Sequence, residues 1–279
     1  MEQAAVVSHW FAMALYLVAT VLYAYHLVTK RAAFSWYATF TTGAGFLLHT
    51  ASIGLHWGAT GDTPITGPFN SLSLAAWTIV LIYFIVEHLV KLKVYGVVLV
   101  PLGFAAMALG QILAGSEGFE LTEAALEQLD SWRVAMHVAI IMIANSGFAV
   151  GAVASGVYLL QGVQLKKHKT SALMKRLPSL TQTQMIARRA ILVAYPLYTA
   201  GMLLGIVRAI EFELNWWFDP RVMMSGVVWV IFGSYLLLYY RRDASGTLLA
   251  RIALVGLVAV IILAIFARTL PTGFHIFGL

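Results

Sequence analysis

Cysteine is missing from this chain of 279 residues. Its absence excludes structural disulfides, thiolate metal sites, cysteine-ligated clusters and any cofactor bonded to this chain through a thioether. Charge is also scarce, because only 11% of the residues are Asp, Glu, Lys or Arg, against about 25% in a soluble globular domain. Hydrophobic residues make up 61% of the chain. This balance indicates a membrane protein.

The apolar residues fall into blocks of about 20, the length at which a helix crosses a bilayer. The blocks are continuous rather than alternating, which favours helices over a β-barrel. We therefore predict an all-α polytopic membrane protein that forms a single membrane domain over residues 1–279. Its eight predicted spans are 7–28, 33–55, 70–90, 94–115, 133–162, 190–210, 222–240 and 249–268.

The charges are sorted between the connections, and this sorting predicts the orientation. Fourteen of the 18 basic residues follow the first, third, fifth and seventh blocks, and the longest basic segment is the loop 163–189. Ten of the 12 acidic residues belong to the other side. The positive-inside rule then places both termini on the outer, periplasmic side of a bacterial-type inner membrane or its organellar equivalent. The net charge of +6 reflects this topology and contact with membrane lipid, and it predicts no nucleic-acid partner.

The predicted outer connection 211–221 contains the string ELNWWFDPR and is unlike an ordinary turn. Connections usually carry small polar residues, because they turn the chain in water. Trp216, Trp217 and Phe218 instead offer a flat aromatic surface. Two interpretations stay open: the tryptophans belong to the interfacial aromatic belt, or they support a flat ligand.

Histidines are the next signal, because ionisable side chains in or near spans are costly and raise a functional hypothesis. His137 opens the fifth span, and His275 lies in the outer tail, on the same predicted side as the aromatic connection. His49 lies in the outer half of the second span. The remaining histidines are interpreted mainly as hydrogen-bonded or surface residues: His9, His26, His56, His88 and His168.

Four arginines depart from the inner bias of the basic residues: Arg133, Arg208, Arg221 and Arg268. The planar guanidinium group can bind both oxygens of a carboxylate. Two histidines, an aromatic surface and nearby arginines together fit haem, because the iron takes axial imidazoles and the propionates pair with arginines. The alternative partners of these arginines are the acidic loop 116–131 and lipid phosphate.

Several longer strings resemble one known family. GFLLHTASIGLHW, SLSLAAWTIVLIYFIVEH and VYGVVLVPLGF are similar to early spans of the cytochrome c assembly family, the CcsA/CcmC-like haem-handling membrane proteins, and the resemblance covers most of the chain from about residue 43. It implies that His137 is the family's first external histidine and His275 its second. Trp216, Trp217 and Asp219 match the family's tryptophan-rich "WWD" segment.

Two features depart from the haem ligases of that family. The ligases end the tryptophan segment in Asp-Pro-Lys-Glu, whereas Arg221 and Val222 occupy the last two positions here. The ligases also place a histidine late in the following span, where this chain has Leu237. The shorter pattern resembles the HemX-like branch. It leaves open whether haem is transferred or retained, and whether a second haem is bound.

The resemblance implies a non-covalent, b-type haem at the outer face with His137 and His275 as axial ligands. Residues 216–218 support the ring, the four arginines meet the propionates, and Asp219 either orients a histidine or caps the loop. His49 is the expected substitute ligand.

The implied function is haem handling in cytochrome c maturation, with presentation to an apocytochrome that carries Cys-x-x-Cys-His, alongside other cytochrome c assembly proteins. One alternative is an electron-transfer subunit that retains haem and exchanges electrons with a quinone or an external cytochrome; a second haem on His26 and His88 would favour it. The other alternative is a haem-free scaffold or regulatory subunit. The sequence offers no recognisable set of residues for acid–base catalysis.

Overall fold

The architecture comes from a computed structural model that describes residues 1–29, 31–61, 67–90, 93–113, 131–167, 177–212, 216–241 and 244–269, with only the backbone at some helix ends, including 264–269. The helices are α1 (Glu2–Thr29), α2 (Ala32–Thr60), α3 (Gly67–Val90), α4 (Gly96–Leu113), α5 (Trp132–Lys166), α6 (Leu180–Glu211), α7 (Pro220–Arg241) and α8 (Gly246–Thr269). Short 3-10 turns occupy Lys93–Tyr95 and Trp216–Phe218. These ranges contain no β-strand, which confirms the predicted all-α fold.

Seven of the described helices are long and apolar enough to cross a membrane. The protein is therefore a polytopic membrane protein, as the sequence predicts. The exception is α2, which has 29 residues and no Asp, Glu, Lys or Arg, so only its lower hydropathy separates it from the others. Serines, threonines and two histidines lower that hydropathy, and the buried ones are Ser35, Thr42, His49 and Ser52.

The described helices form two compact units, and the first contains α1 to α4. Buried residues on α1 recur every three or four positions: Ala5, His9, Ala12, Tyr16, Ala19 and Tyr23. Those on α2 follow the same spacing, which is the spacing of two helices packed along a continuous seam. The seam therefore holds the polar side chains of His9, Tyr16 and Tyr23 inside the unit.

The carboxylate of Glu87 on α3 is also held by polar partners in the first unit. The Tyr23 and Tyr83 hydroxyls hydrogen-bond to each other, and Tyr83 donates to Glu87. Thr39 donates to Glu87 Oε1 over 3.1 Å, and Lys93 Nζ lies 3.8 Å from the same oxygen. These partners offset the cost of placing Glu87 in a helix that is apolar enough to span a membrane.

The second unit contains α5 to α8, and close contacts fix the pairing of α5 with α6. A Cβ at Gly147 would lie 2.9 Å from the Ala194 Cβ, and a Cβ at Gly151 would lie 2.6 Å from Ile191 Cγ1. A third such contact joins Gly201 to Ile141. As the residue number rises on α5 it falls on α6, so the helices are antiparallel. The start of α5 therefore lies beside the end of α6.

The helices α7 and α8 complete this unit. The rings of Phe148 on α5 and Phe232 on α7 stack with centroids 3.7 Å apart, and a Cβ at Gly256 on α8 would lie 2.5 Å from the Phe232 ring. The short connection between α7 and α8 makes them antiparallel. Hence α8 ends at the same end of the unit at which α7 begins.

The predicted inner loop 163–189 is shorter than the sequence suggests, because α5 continues to Lys166 and α6 begins at Leu180. A capping box starts α6: the Gln182 amide donates to Ser179 Oγ over 3.2 Å, and the Ser179 amide donates to the Gln182 side chain over 3.1 Å. The first turns of α6 are polar, so hydropathy alone placed the start of the predicted span at residue 190. Residues 168–176 of the predicted loop lie outside the described residues.

Candidate ligand site at one end of the second unit

Most of the candidate residues that the structure describes belong to one end of the second unit. Helix α5 begins there, α6 ends there, and the chain continues through the turn Trp216–Phe218 into α7. Residues 213–215 of the predicted connection lie outside the described ranges. His137, Arg133, Arg208 and residues 216–219 are thus brought to the same end by the antiparallel helices.

His137 is held against α6 by a hydrogen bond and a close contact. Its Nδ1 lies 2.7 Å from the carbonyl oxygen of Gly201. A carbonyl only accepts, so Nδ1 carries the proton and the neutral ring has its lone pair on Nε2. A Cβ at Gly205 would lie 2.7 Å from His137 Cε1, so the ring rests directly on the glycine backbone. This tautomer is the one in which histidines ligate a metal through Nε2.

Arg133 and Arg208 share one carboxylate. Arg133 NH1 hydrogen-bonds to Glu211 Oε1, and Arg208 NH1 donates to Glu211 Oε2 over 3.1 Å. The Arg208 guanidinium also lies over the Phe212 ring, with Cζ 4.1 Å from the centroid. Both arginines are therefore paired with Glu211, the last residue of α6. The acidic loop and lipid phosphate, the alternatives drawn from the sequence, are not needed to explain this pairing.

The aromatic segment forms a single 3-10 turn, Trp216–Phe218. The two indole rings stack with centroids 3.7 Å apart and an interplanar angle of 25°. Trp217 is 68% exposed and Phe218 is 78% exposed, so each presents most of its surface to the surroundings. Such a surface suits either the membrane interface or a flat ligand, and both interpretations of the sequence are compatible with this geometry.

Asp219 caps α7. Its side chain is buried, and Oδ1 accepts the backbone N–H groups of Arg221 over 2.9 Å and Val222 over 3.2 Å. Pro220 follows as the first helical residue, where its fixed φ and missing N–H cost nothing. Of the two roles expected for Asp219, the structure therefore shows the cap. Arg221 is partly buried in the first turn of the same helix.

His49 belongs to the first unit and is completely buried there. Its Nε2 lies 2.9 Å from Ser73 Oγ, and its Nδ1 lies 3.4 Å from the Tyr16 hydroxyl. The ring of His9 meets it edge-on, with centroids 6.1 Å apart. Both ring nitrogens of His9 are buried without a hydrogen-bond partner, although the sequence suggested an ordinary surface or hydrogen-bonded residue. The seven-residue spacing of His9, Tyr16 and Tyr23 was the sequence signal that places His9 on the buried face of α1.

The remaining candidates are only partly described. His275 lies outside the described residues, as does His168. Arg268 lies on α8, of which only the backbone is described at that position. His26 Nδ1 lies 3.0 Å from the Arg31 carbonyl oxygen in the turn between α1 and α2, and His88 is exposed on α3.

The profile of the family described as "Cytochrome C assembly protein" matches residues 66–275. The chain belongs to the cytochrome c assembly family. The match includes α3 to α8, the aromatic turn and every candidate ligand-site residue of the second unit. The family resemblance noted in the sequence is confirmed.

Curated relatives extend this similarity over most of the chain. The cytochrome c biogenesis protein CcsA of Prochlorococcus marinus strain MIT 9303 is 26% identical over 258 residues, which cover 83% of this chain and 81% of that protein. The CcsA of Synechococcus sp. strain WH7803 is 26% identical over 267 residues, covering 85% and 83%. The CcsA of Synechococcus sp. strain CC9311 is 24% identical and covers 96% of each chain.

The residues at the end of the second unit fit haem by their donor chemistry. His137 has the tautomer of an Nε2 ligand, the exposed aromatic surface suits a planar macrocycle, and the two arginines already hold a carboxylate. Sequence reasoning missed Glu211. Its position three residues after Arg208, on the same helix face, was the signal that could have found it.

Proposed function

We propose that this protein binds haem non-covalently at the end of its second unit and handles it during cytochrome c maturation. The observation that carries the proposal is the orientation of His137. The Gly201 carbonyl fixes the protonated nitrogen, and the Gly205 backbone supports the ring. A ligating histidine is ordinarily oriented in this way by a hydrogen bond from its other nitrogen.

Each residue then has a specific task. His137 and His275 would hold the iron through their imidazole nitrogens, and Trp217 and Phe218 would exclude water from the porphyrin ring. Arg133 and Arg208 bind a propionate, and Arg221 and Arg268 add positive charge. Bound haem would supply a redox-active iron and the vinyl groups to which the two cysteines of a Cys-x-x-Cys-His acceptor bond.

The same proposal includes the location and the partners. We place the site on the periplasmic side of a bacterial-type inner membrane, because 14 of the 18 basic residues belong to the opposite side, which the positive-inside rule assigns to the cytoplasm. An apocytochrome is the proposed recipient, and other cytochrome c assembly proteins are proposed partners in delivery.

Absorption spectroscopy on the purified protein tests haem binding. The wild type should show a low-spin, six-coordinate spectrum and a positive pyridine haemochrome assay. His137→Ala should lose the low-spin signature, because only one axial imidazole remains, and His275→Ala should do the same. His168→Ala, in the predicted basic loop, is the control and should retain the wild-type spectrum.

The outcomes separate the alternative functions. A wild-type protein that binds no haem would be the haem-free scaffold. A protein that keeps its haem when an apocytochrome acceptor is added would be an electron-transfer subunit. A low-spin spectrum that survives both substitutions but is lost in His49→Ala would move the ligand site to the first unit.

A further inference from the structure

We propose that Glu211 is an internal competitor of the haem carboxylates, occupying the site formed by Arg133 and Arg208 until a ligand carboxylate displaces it. The inference rests on the proposed function, because it concerns the same arginine pair. Glu211 is not among the ligand-binding residues inferred from the sequence, and its competition for the two arginines would control how tightly a ligand carboxylate binds.

The first argument is the geometry of the shared carboxylate. Each oxygen of Glu211 accepts from a different arginine: Oε1 from Arg133 and Oε2 from Arg208. The arginines come from separate helices, α5 and α6, so they form a two-sided carboxylate site. A propionate has the same terminal group as a glutamate side chain and can accept the same two hydrogen bonds.

The second argument is that Glu211 is weakly held. It is the last residue of α6, where the partial negative charge of the helix C-terminus disfavours a carboxylate. Arg208 precedes it by three residues, which is the less favourable order for an ion pair on a helix. The side chains are also partly exposed, at 45% for Arg133 and 36% for Glu211, so water and salt weaken their attraction.

The third argument is the remaining capacity of Arg208. Glu211 takes one N–H of its guanidinium, and the Nε atom is buried without a hydrogen-bond partner. Phe212 lies under the group and fixes its plane. The Nε–H group is therefore left without an acceptor while Glu211 occupies the site. A ligand carboxylate that replaces Glu211 could use this additional N–H as well.

Glu211→Gln keeps the size of the side chain and removes its charge, so the competition should weaken while the packing is retained. Metal-free protoporphyrin IX is the probe, because its binding needs no axial ligand, and quenching of the tryptophan fluorescence reports it. We expect Glu211→Gln to bind protoporphyrin IX about two- to fivefold more tightly than the wild type, the range of an exposed ion pair. Glu213→Gln is the matched control, because it changes the net charge equally within the same connection.

Two further measurements identify the cause. The dimethyl ester of protoporphyrin IX lacks carboxylates, so its affinity should be the same in the wild type and in Glu211→Gln. The double variant Glu211→Gln/Arg133→Ala should lose the gain. Weaker binding of both porphyrins in Glu211→Gln would mean that Glu211 only joins the helix ends, and it would overturn the proposal. The proposal would also be overturned if the wild type, Glu211→Gln and Glu213→Gln bound protoporphyrin IX with the same affinity. It would be overturned as well if none of the three bound protoporphyrin IX.

The same variants distinguish this inference from the proposed function. A gain with protoporphyrin IX, together with haem that shows no histidine-ligated spectrum, would support the carboxylate exchange and refute axial ligation. A haem spectrum that depends on His137, without tighter binding of protoporphyrin IX by Glu211→Gln, would support axial ligation and refute the carboxylate exchange.

Discussion

At the scale of single residues, the candidate site depends on hydrogen bonds that orient side chains. The Gly201 carbonyl sets the tautomer of His137, and Glu211 aligns two guanidinium groups. Asp219 Oδ1 accepts from two backbone amides, so it caps the helix that follows the aromatic turn. The chemistry of the site is therefore divided between residues that would touch haem and residues that hold the backbone.

Asp219→Ala should destabilise the start of α7 by about 1 kcal/mol, because two backbone N–H groups lose their acceptor. Asp219→Asn should be close to the wild type, since asparagine caps helices as well as aspartate does. Thermal unfolding in detergent measures the difference. If Asp219 oriented an axial histidine instead, Asp219→Asn would alter the haem spectrum while leaving the unfolding temperature unchanged.

At the scale of helices, the seam between α5 and α6 determines where the site is formed. Glycines on each helix meet an alanine, isoleucine or histidine side chain of the other helix, and the antiparallel register extends from the contact of Gly151 with Ile191 to that of Gly205 with His137. Small residues permit close approach of helices in a membrane, where packing replaces the hydrophobic effect. The seam consequently brings Arg133 to Glu211, although 78 residues separate them in the chain.

Gly205→Ala should displace the His137 ring, because the added Cβ would lie 2.7 Å from Cε1. The low-spin fraction of bound haem should fall, and the spectrum should change more than the stability does. Gly226→Ala is the control on α7, where an added Cβ has nothing within 4 Å.

Gly151→Ala separates the effect on His137 from general damage to the seam. Its added Cβ would meet Ile191, far along the helix pair from His137. We expect it to lower the unfolding temperature while the haem spectrum stays low-spin. An equal spectral change in Gly151→Ala and Gly205→Ala would show that the seam as a whole, and not the contact with His137, controls the ligand.

At the scale of the whole molecule, the distribution of charge predicts the orientation in the membrane. The basic residues follow alternate spans, and this pattern orients membrane helices during insertion. Because the chain lacks cysteine, single introduced cysteines report topology without a background. Ser116→Cys should react with an impermeant maleimide in intact cells, whereas Ser171→Cys should react only after the membrane is opened. Labelling of both in intact cells would contradict the predicted topology.

The sequence predicted the helices well, because runs of about 20 apolar residues have few alternatives in a bilayer. The span prediction misplaced the start of α6, where polar helical turns precede the apolar block, and it counted α2 equally with the other spans although its sequence is less hydrophobic. The pattern and the family resemblance singled out the aromatic segment and His137 as candidates, and their role in ligand binding stays a prediction. The spacing held a signal for the burial of His9 and for the pair of Glu211 with Arg208, but none for the contact of Glu211 with Arg133, since that contact joins two helices.

The sequence by itself determined the class of the protein, its family and the residue types available to a ligand. Composition decides the class and the available residue types, because apolar length sets the spans and the absence of cysteine removes thiolate chemistry, whereas the order of the motifs decides the family. Only the tertiary structure decided which charges meet. Arg133 and Arg208 could have faced a ligand, lipid or the acidic loop, and the register of α5 on α6 directs both to Glu211. Likewise, the tautomer of His137 follows from the Gly201 carbonyl, a contact between residues on two helices that hydropathy does not encode.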